Sequence, residues 1–263
     1  MDHRRRWAAL ALALALGAGL AGCGSAQKSE TAEPTQTEPV AQAPEWTTWS
    51  PIETGETAQG EVCFALSAQE LIRRCNVRWA EAWGEDLLPP LDQWMAYGVG
   101  TLSRRGGVEG RQYQSLQDPN NYAEPFLSLC LAREEDRVLE VVTGLSQKNY
   151  TGAPTALFQA KSLCALQAFF PELTEADFSA LYETLSQGAH YAETWETPLP
   201  ARVAWQDGVA CYLLLQIGEY DQFHIRPADP ALLAQWRAAG VEVTEGICPI
   251  SPQPNPTEGD VTP

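Results

Sequence analysis

Histidine and cysteine are the side chains of this chain that could support metal or nucleophilic chemistry, so their spacing is the first constraint. Apart from His3, the 263 residues carry only His190 and His224. A zinc hydrolase site takes two or three histidines at set spacing, such as i and i+4 on a helix, and neither histidine has such a neighbour. No H-E-x-x-H, P-loop, G-x-G-x-x-G, G-x-S-x-G or EF-hand pattern is present. Cysteine with histidine is the remaining catalytic pair. A nucleophilic thiol needs a helix N-terminus or a positive neighbour to lower its pKa. Patterning puts Cys75 and Cys164 in mid-helix and Cys130 and Cys211 in mid-strand among aliphatic residues, and Cys63 alone lies near a helix start. The sequence therefore points away from catalysis and names no catalytic residue, metal ligand or cofactor.

The N-terminal segment says where these groups work. Arg4, Arg5 and Arg6 precede an Ala- and Leu-rich run from Trp7 to Leu20, and small residues then lead to Cys23. This is the layout of an export signal. The run is short of the ~20 apolar residues that span a bilayer. Its end, Leu20-Ala21-Gly22-Cys23, resembles the lipobox of bacterial lipoproteins. The resemblance covers the first two dozen residues. It implies that residues 1–22 are removed and that Cys23 becomes a lipid-modified N-terminus on the extracytoplasmic face of the cell membrane. Stable anchoring takes two membrane signals, at ~0.8 kcal/mol per buried CH₂; two or three acyl chains on Cys23 meet that requirement. The nearby Ser25-Ala26-Gln27-Lys28 fits S-x-x-K, but it falls in a polar tether and carries no weight.

Without residues 1–22 the chain has 14 basic and 33 acidic residues, a formal charge of −19. Such a field opposes nucleic acid and anionic wall polymers, and favours solubility or cationic partners. The expected partners are the membrane, through the N-terminal lipid, and an unidentified envelope protein or saccharide. From Cys23 to Glu61 the chain is rich in Ser, Thr, Glu, Gln, Pro and Ala, too polar to offset ordering entropy by burial. Residues 23–61 are therefore expected to be a lipidated tether, 62–250 a single domain and 251–263 a disordered tail. Trp46 and Trp49 interrupt the tether as expected contact aromatics, either for a partner or for docking on the domain. Six cysteines besides Cys23 make an even number in an exported chain. Cys75, Cys130, Cys164 and Cys211 sit in apolar interiors and read as buried thiols, whereas Cys63 and Cys248 bracket the domain and are the expected disulfide pair.

The elements follow from caps and periodicity. Ser67 with Glu70, and Thr174 with Asp177, are helix starts, each with a staple, Leu66 to Leu71 and Leu173 to Phe178. Thr155 to Phe169 predicts another helix, stopped at Pro171. The period changes to two in Phe126–Leu131 and Val138–Val142, a hairpin around Arg133-Glu134-Glu135-Asp136-Arg137, and Trp94–Leu102 offers an earlier strand. Ala201–Trp205, Val209–Ile217 and Tyr220–Ile225 predict three strands, the first two joined by an Asp207-Gly208 turn. Asp229-Pro230 opens a final helix that ends at Gly240. Strands paired as hairpins predict an α+β fold, an antiparallel sheet with helices packed on one face, and the repeated cap hints at a weak internal duplication. The expected function is that of a surface lipoprotein with a non-catalytic binding or interaction ectodomain. Its rivals are a carbohydrate- or solute-binding lipoprotein, which needs several exposed aromatics in a cleft, and a Cys/His cell-wall hydrolase, which needs a cysteine bonded to His190 or His224.

Overall fold

The computed structural model describes residues 44–84, 88–97, 103–105, 108–115, 125–146, 154–188, 199–217 and 220–248. Three of its helices start where local chemistry says they should. Helix α1 (Ala68–Trp83) begins at Ser67, whose side chain accepts from the Glu70 amide, and ends at Gly84 with φ 77°, the left-handed conformation that favours glycine. Helix α2 (Pro154–Gln167) is followed by α3 (Glu175–Ser186), which opens with a complete Thr174–Asp177 capping box. Between them Gln167 Nε2 donates to the Leu173 carbonyl at 2.7 Å and fastens the turn. Helix α4 (Pro230–Ala238) starts at Asp229, whose carboxylate accepts from the Ala231 amide. No helix of the described residues is long and apolar enough to cross a membrane.

The strands are β1 (Thr54–Glu56), β2 (Val62–Phe64), β3 (Met95–Tyr97), β4 (Ser103–Arg105), β5 (Val108–Gln114), β6 (Phe126–Leu131), β7 (Val138–Ser146), β8 (Arg202–Gln206), β9 (Val209–Ile217), β10 (Tyr220–Pro227) and β11 (Glu242–Glu245). Their order in the sheet is β11-β8-β9-β10-β7-β6-β5-β3, with β2 bridging to β7 and β1 pairing with β2. Two antiparallel meanders, β5-β6-β7 and β8-β9-β10, thus meet through the antiparallel β7/β10 pair, from Tyr220 opposite Ser146 to Ile225 opposite Val141. Each meander follows a capped helix, α1 or α3, in the chain.

The fold is α+β, with α1, α2 and α3 packed on one face of the sheet. Alternation sends Leu127, Leu129, Val141, Leu213, Phe223 and Ile225 to that face, where they meet Leu71, Phe158, Leu166 and Phe178 of the helices. Phe178 and Phe223 pack edge to face at 5.6 Å. Where β6 meets β7 the register slips: Cys130 faces Glu140 while Leu131 faces Val138, so Leu139 is an extra residue in a bulge. At the β8/β9 turn both Asp207 (φ 47°) and Gly208 (φ 80°) are left-handed, as a two-residue hairpin requires.

Three features depart from the expectations. Residues 44–61 are folded: a 3₁₀ turn at Glu45–Thr48 and the β1/β2 hairpin precede α1, and the compact unit begins at Ala43. Residues 44–61 therefore belong to the folded unit and not to the expected tether, because Ile52 and Thr57 are buried in a segment whose average composition is polar. The sheet is not wholly antiparallel, since β11 runs parallel to β8. Helix α4 makes that crossover and packs on the reverse face, with Leu233 and Trp236 against Val203, Tyr212 and Leu214.

Candidate functional site

The reverse face of the sheet carries a buried polar cluster. It grows from two strands with alternating patterns. On β10, Gln222, His224 and Arg226 point opposite to Phe223 and Ile225, and on β7 the bulge at Leu139 places Glu140 on the same reverse face. Glu140, Gln222 and His224 are 2–3% exposed. His224 Nδ1 lies 2.9 Å from Glu140 Oε1, and Nε2 lies 3.1 Å from Gln222 Oε1. The Tyr212 hydroxyl donates to the same Glu140 oxygen at 3.2 Å. Arg226 Nε stands 3.9 Å from it. The Tyr212 and His224 rings stack at 4.7 Å and 7°, and Trp236 of α4 meets Tyr212 edge-on at 5.4 Å.

Opposed effects set the ionisation of this cluster. Burial by itself would raise the Glu140 pKa, but attraction and hydrogen bonding to His224, with help from Arg226 and Tyr212, hold the carboxyl below its ordinary value. For Arg226 burial opposes the charge, yet Tyr212 and then Glu140 outweigh it and the pKa rises. Burial, followed by the Glu140 charge, pushes the Tyr212 hydroxyl upward. The cluster is thus built around a buried carboxylate. Such a group is costly unless paired and hydrogen-bonded, and here three side chains converge on one oxygen. Gln222 Nε2 is buried without a hydrogen-bond partner.

Chemically, an imidazole oriented by a carboxylate is half of a general-base arrangement. The other half requires a nucleophile at the free nitrogen, and Nε2 is occupied by Gln222 two residues away on the same strand. Among the described residues no cysteine is hydrogen-bonded to His224. Cys130 faces Glu140 across the β6/β7 pair, but burial and then the Glu140 charge push its thiol up to about 12. Burial raises Cys75, Cys164 and Cys211 likewise. His190 lies outside the described residues, as does Cys23. The described thiols therefore have the opposite character to activated nucleophiles.

The other expected site residues are placed as follows. Cys63 and Cys248 are both free thiols, and they are separated by the sheet. Cys63 clusters with Cys130, Ala132 and Leu139, whereas Cys248 packs against the helix-side core. The two ends of the domain in sequence thus join different clusters, and neither thiol is bonded to another. Trp46 and Trp49 are half-buried on α1. The Arg78 guanidinium sits 4.6 Å from the Trp46 ring and Arg74 lies 5.1 Å from Trp49. Arg73 pairs with Glu45, and Arg74 Nη1 donates to the Ser50 carbonyl at 3.1 Å. These contacts dock both tryptophans on the domain. Trp79, Trp94 and Trp236 are buried and Trp205 is half-buried.

Sequence reasoning missed Glu140. Its signal was an acid inside an otherwise apolar strand, Val138-Leu139-Glu140-Val141-Val142, which alternation alone reads as a solvent-facing position. The chain matches no protein-family model, no curated protein and no solved structure.

Proposed function

We propose that this protein is a bacterial envelope lipoprotein, held on the extracytoplasmic side of the membrane by acyl chains on Cys23, whose folded unit is a non-catalytic binding or interaction domain. The observation that carries the reading is the N-terminal order Arg4-Arg5-Arg6, apolar run, Leu20-Ala21-Gly22-Cys23. The folded unit supports it by where it starts. Pro44 is the first described residue, leaving about twenty residues after Cys23, which reach at most ~70 Å at ~3.3–3.6 Å per residue. That distance lets an acidic domain engage a partner close to the membrane without resting on its headgroups.

The binding reading draws on the chemistry of the described groups. His224 has both nitrogens engaged, and Cys63, Cys75, Cys130, Cys164 and Cys211 are buried with their thiol pKa raised by burial. These features favour a fold-holding role for the groups that an enzyme would need free. The test is metabolic labelling with a fatty acid in a bacterial host, comparing wild type with Cys23→Ala. The expected result is labelled, membrane-bound wild type and an unlabelled, released variant. Wild-type labelling in the alanine variant refutes the anchor. Turnover of peptidoglycan fragments by the purified protein, abolished by His224→Ala in a variant that still folds, refutes the non-catalytic reading.

A further inference from the structure

The thiols are the reactive groups that the proposed function leaves unused, and the C-terminal segment sets one of them, Cys248, against the same core that holds Cys211. After β11 the chain is strapped to the end of β8. The Gly246 amide donates to the Trp205 carbonyl at 2.9 Å, and the Ile247 and Cys248 amides both donate to Gln206 Oε1 at 2.8 Å. Gln206 lies opposite Val209 in the β8/β9 pairing, so the strap is held close to the start of β9, two residues from Cys211. Alternation then fixes the side. Val209, Cys211 and Leu213 belong to the helix-side core, Ile247 enters the same core, and Cys248 packs against it.

The electrostatic surroundings agree with this placement. Burial raises the Cys211 thiol, and the group that raises it further is Cys248. For Cys248 burial comes first, followed by Asp177, Asp207 and Glu172, which belong to the start of α3, the β8/β9 turn and the segment before α3. Cys248 thus occupies the corner between α3 and the β8/β9 turn, half-exposed, with the fully buried Cys211 behind it.

We propose that Cys211 and Cys248 close an intramolecular disulfide when the folded protein meets a small disulfide oxidant. The proposal rests on the export reading only for the natural source of that oxidant. In the first step the Cys248 thiolate attacks one sulfur of the oxidant RSSR, breaking its S–S bond and releasing RS⁻. In the second, the Cys211 thiolate attacks the Cys248 sulfur and releases the other RS⁻. The two protein thiols lose two protons and two electrons, and RSSR becomes two RSH. The bond fixes the strap beneath β9 and with it the α4 and β11 crossover.

Both thiols are raised, and the thiolate is the attacking species, so closure speeds up as pH rises above neutral. The purified full chain is incubated with oxidised glutathione at alkaline pH, remaining thiols are alkylated, and the protein is digested without reductant for mass mapping. The expected product joins the Cys211 peptide to the Cys248 peptide, lighter by two hydrogens than their sum. Thermal unfolding shifts upward relative to dithiothreitol-treated protein, and Cys248→Ser abolishes that shift. Separate alkylation of both cysteines overturns the proposal, as does a persistent glutathione adduct on Cys248 or a link from Cys248 to any other cysteine. The mapping does not depend on acylation of Cys23, so a failure here is distinct from a failure of the anchor.

Discussion

On β10 one short run of residues serves two kinds of interior. Phe223 and Ile225 enter an apolar core under α1, α2 and α3, while Gln222, His224 and Arg226 enter a polar layer on the reverse face. The two sides are buried to a similar degree, yet different physics holds them. The helix side gains from removing apolar area from water, at roughly 25 cal/mol per Å², and needs only shape. The reverse side has to compensate a carboxylate, and it does so through geometry at a single oxygen of Glu140. One face tolerates pH change, and the other should register it.

Three substitutions separate the two faces. The largest effect belongs to the apolar side: Phe223→Ala empties a fully buried position beside Phe178 and should cost about 3–5 kcal/mol in urea denaturation, with little dependence on pH. Second is Glu140→Gln, which replaces charge-assisted hydrogen bonds by neutral ones and should cost about 1.5–3 kcal/mol at neutral pH. The pH signature is the sharper test. Because the folded protein holds Glu140 below the ordinary value of about 4.3, its contribution is complete above that value and is lost as pH falls through the folded pKa. The stability gap between wild type and Glu140→Gln should therefore narrow as the solution is acidified below about pH 4. A gap constant from neutral to acid pH would mean that the carboxylate does not hold the reverse face. The smallest is Gly144→Ala. A β-carbon there would fall 2.2 Å from Cζ of the Phe126 ring opposite it, so the variant should lose about 1–3 kcal/mol through overpacking, and its chemical denaturation midpoint should drop at every pH alike.

The two halves of the sheet show how differently the same rules can be read from sequence. Ser67 and Thr174 were legible as helix starts because a cap and its partner lie within three residues of each other. The β6/β7 hairpin and the β8/β9 turn were legible for the same reason. By contrast β1 and β2 are three residues each, too short for alternation to register. Strand β5, Val108–Gln114, carries Glu109, Arg111, Gln112 and Gln114, so no apolar run marks it. Of the cluster, His224 was visible as a residue but not as a partner of Glu140, from which 84 positions separate it.

What the sequence by itself determined is local: the caps, the Asp207-Gly208 turn, the apolar face of each helix and the hairpin pairing that makes the fold α+β. Each rests on contacts within a few residues, whose energies do not depend on the rest of the chain. The tertiary structure alone decided which polar face is covered. Gln222, His224 and Arg226 alternate with core residues as a solvent-facing strand would, and their burial follows from the β7/β10 pairing, the bulge at Leu139 and the packing of α4 on Tyr212. It also decided that Trp46 and Trp49 lie on the arginines of α1, that Cys248 packs against the helix-side core and that Cys63 clusters with Cys130. These outcomes depend on contacts between residues far apart in the chain, and periodicity reports which side chains share a face but not what that face meets.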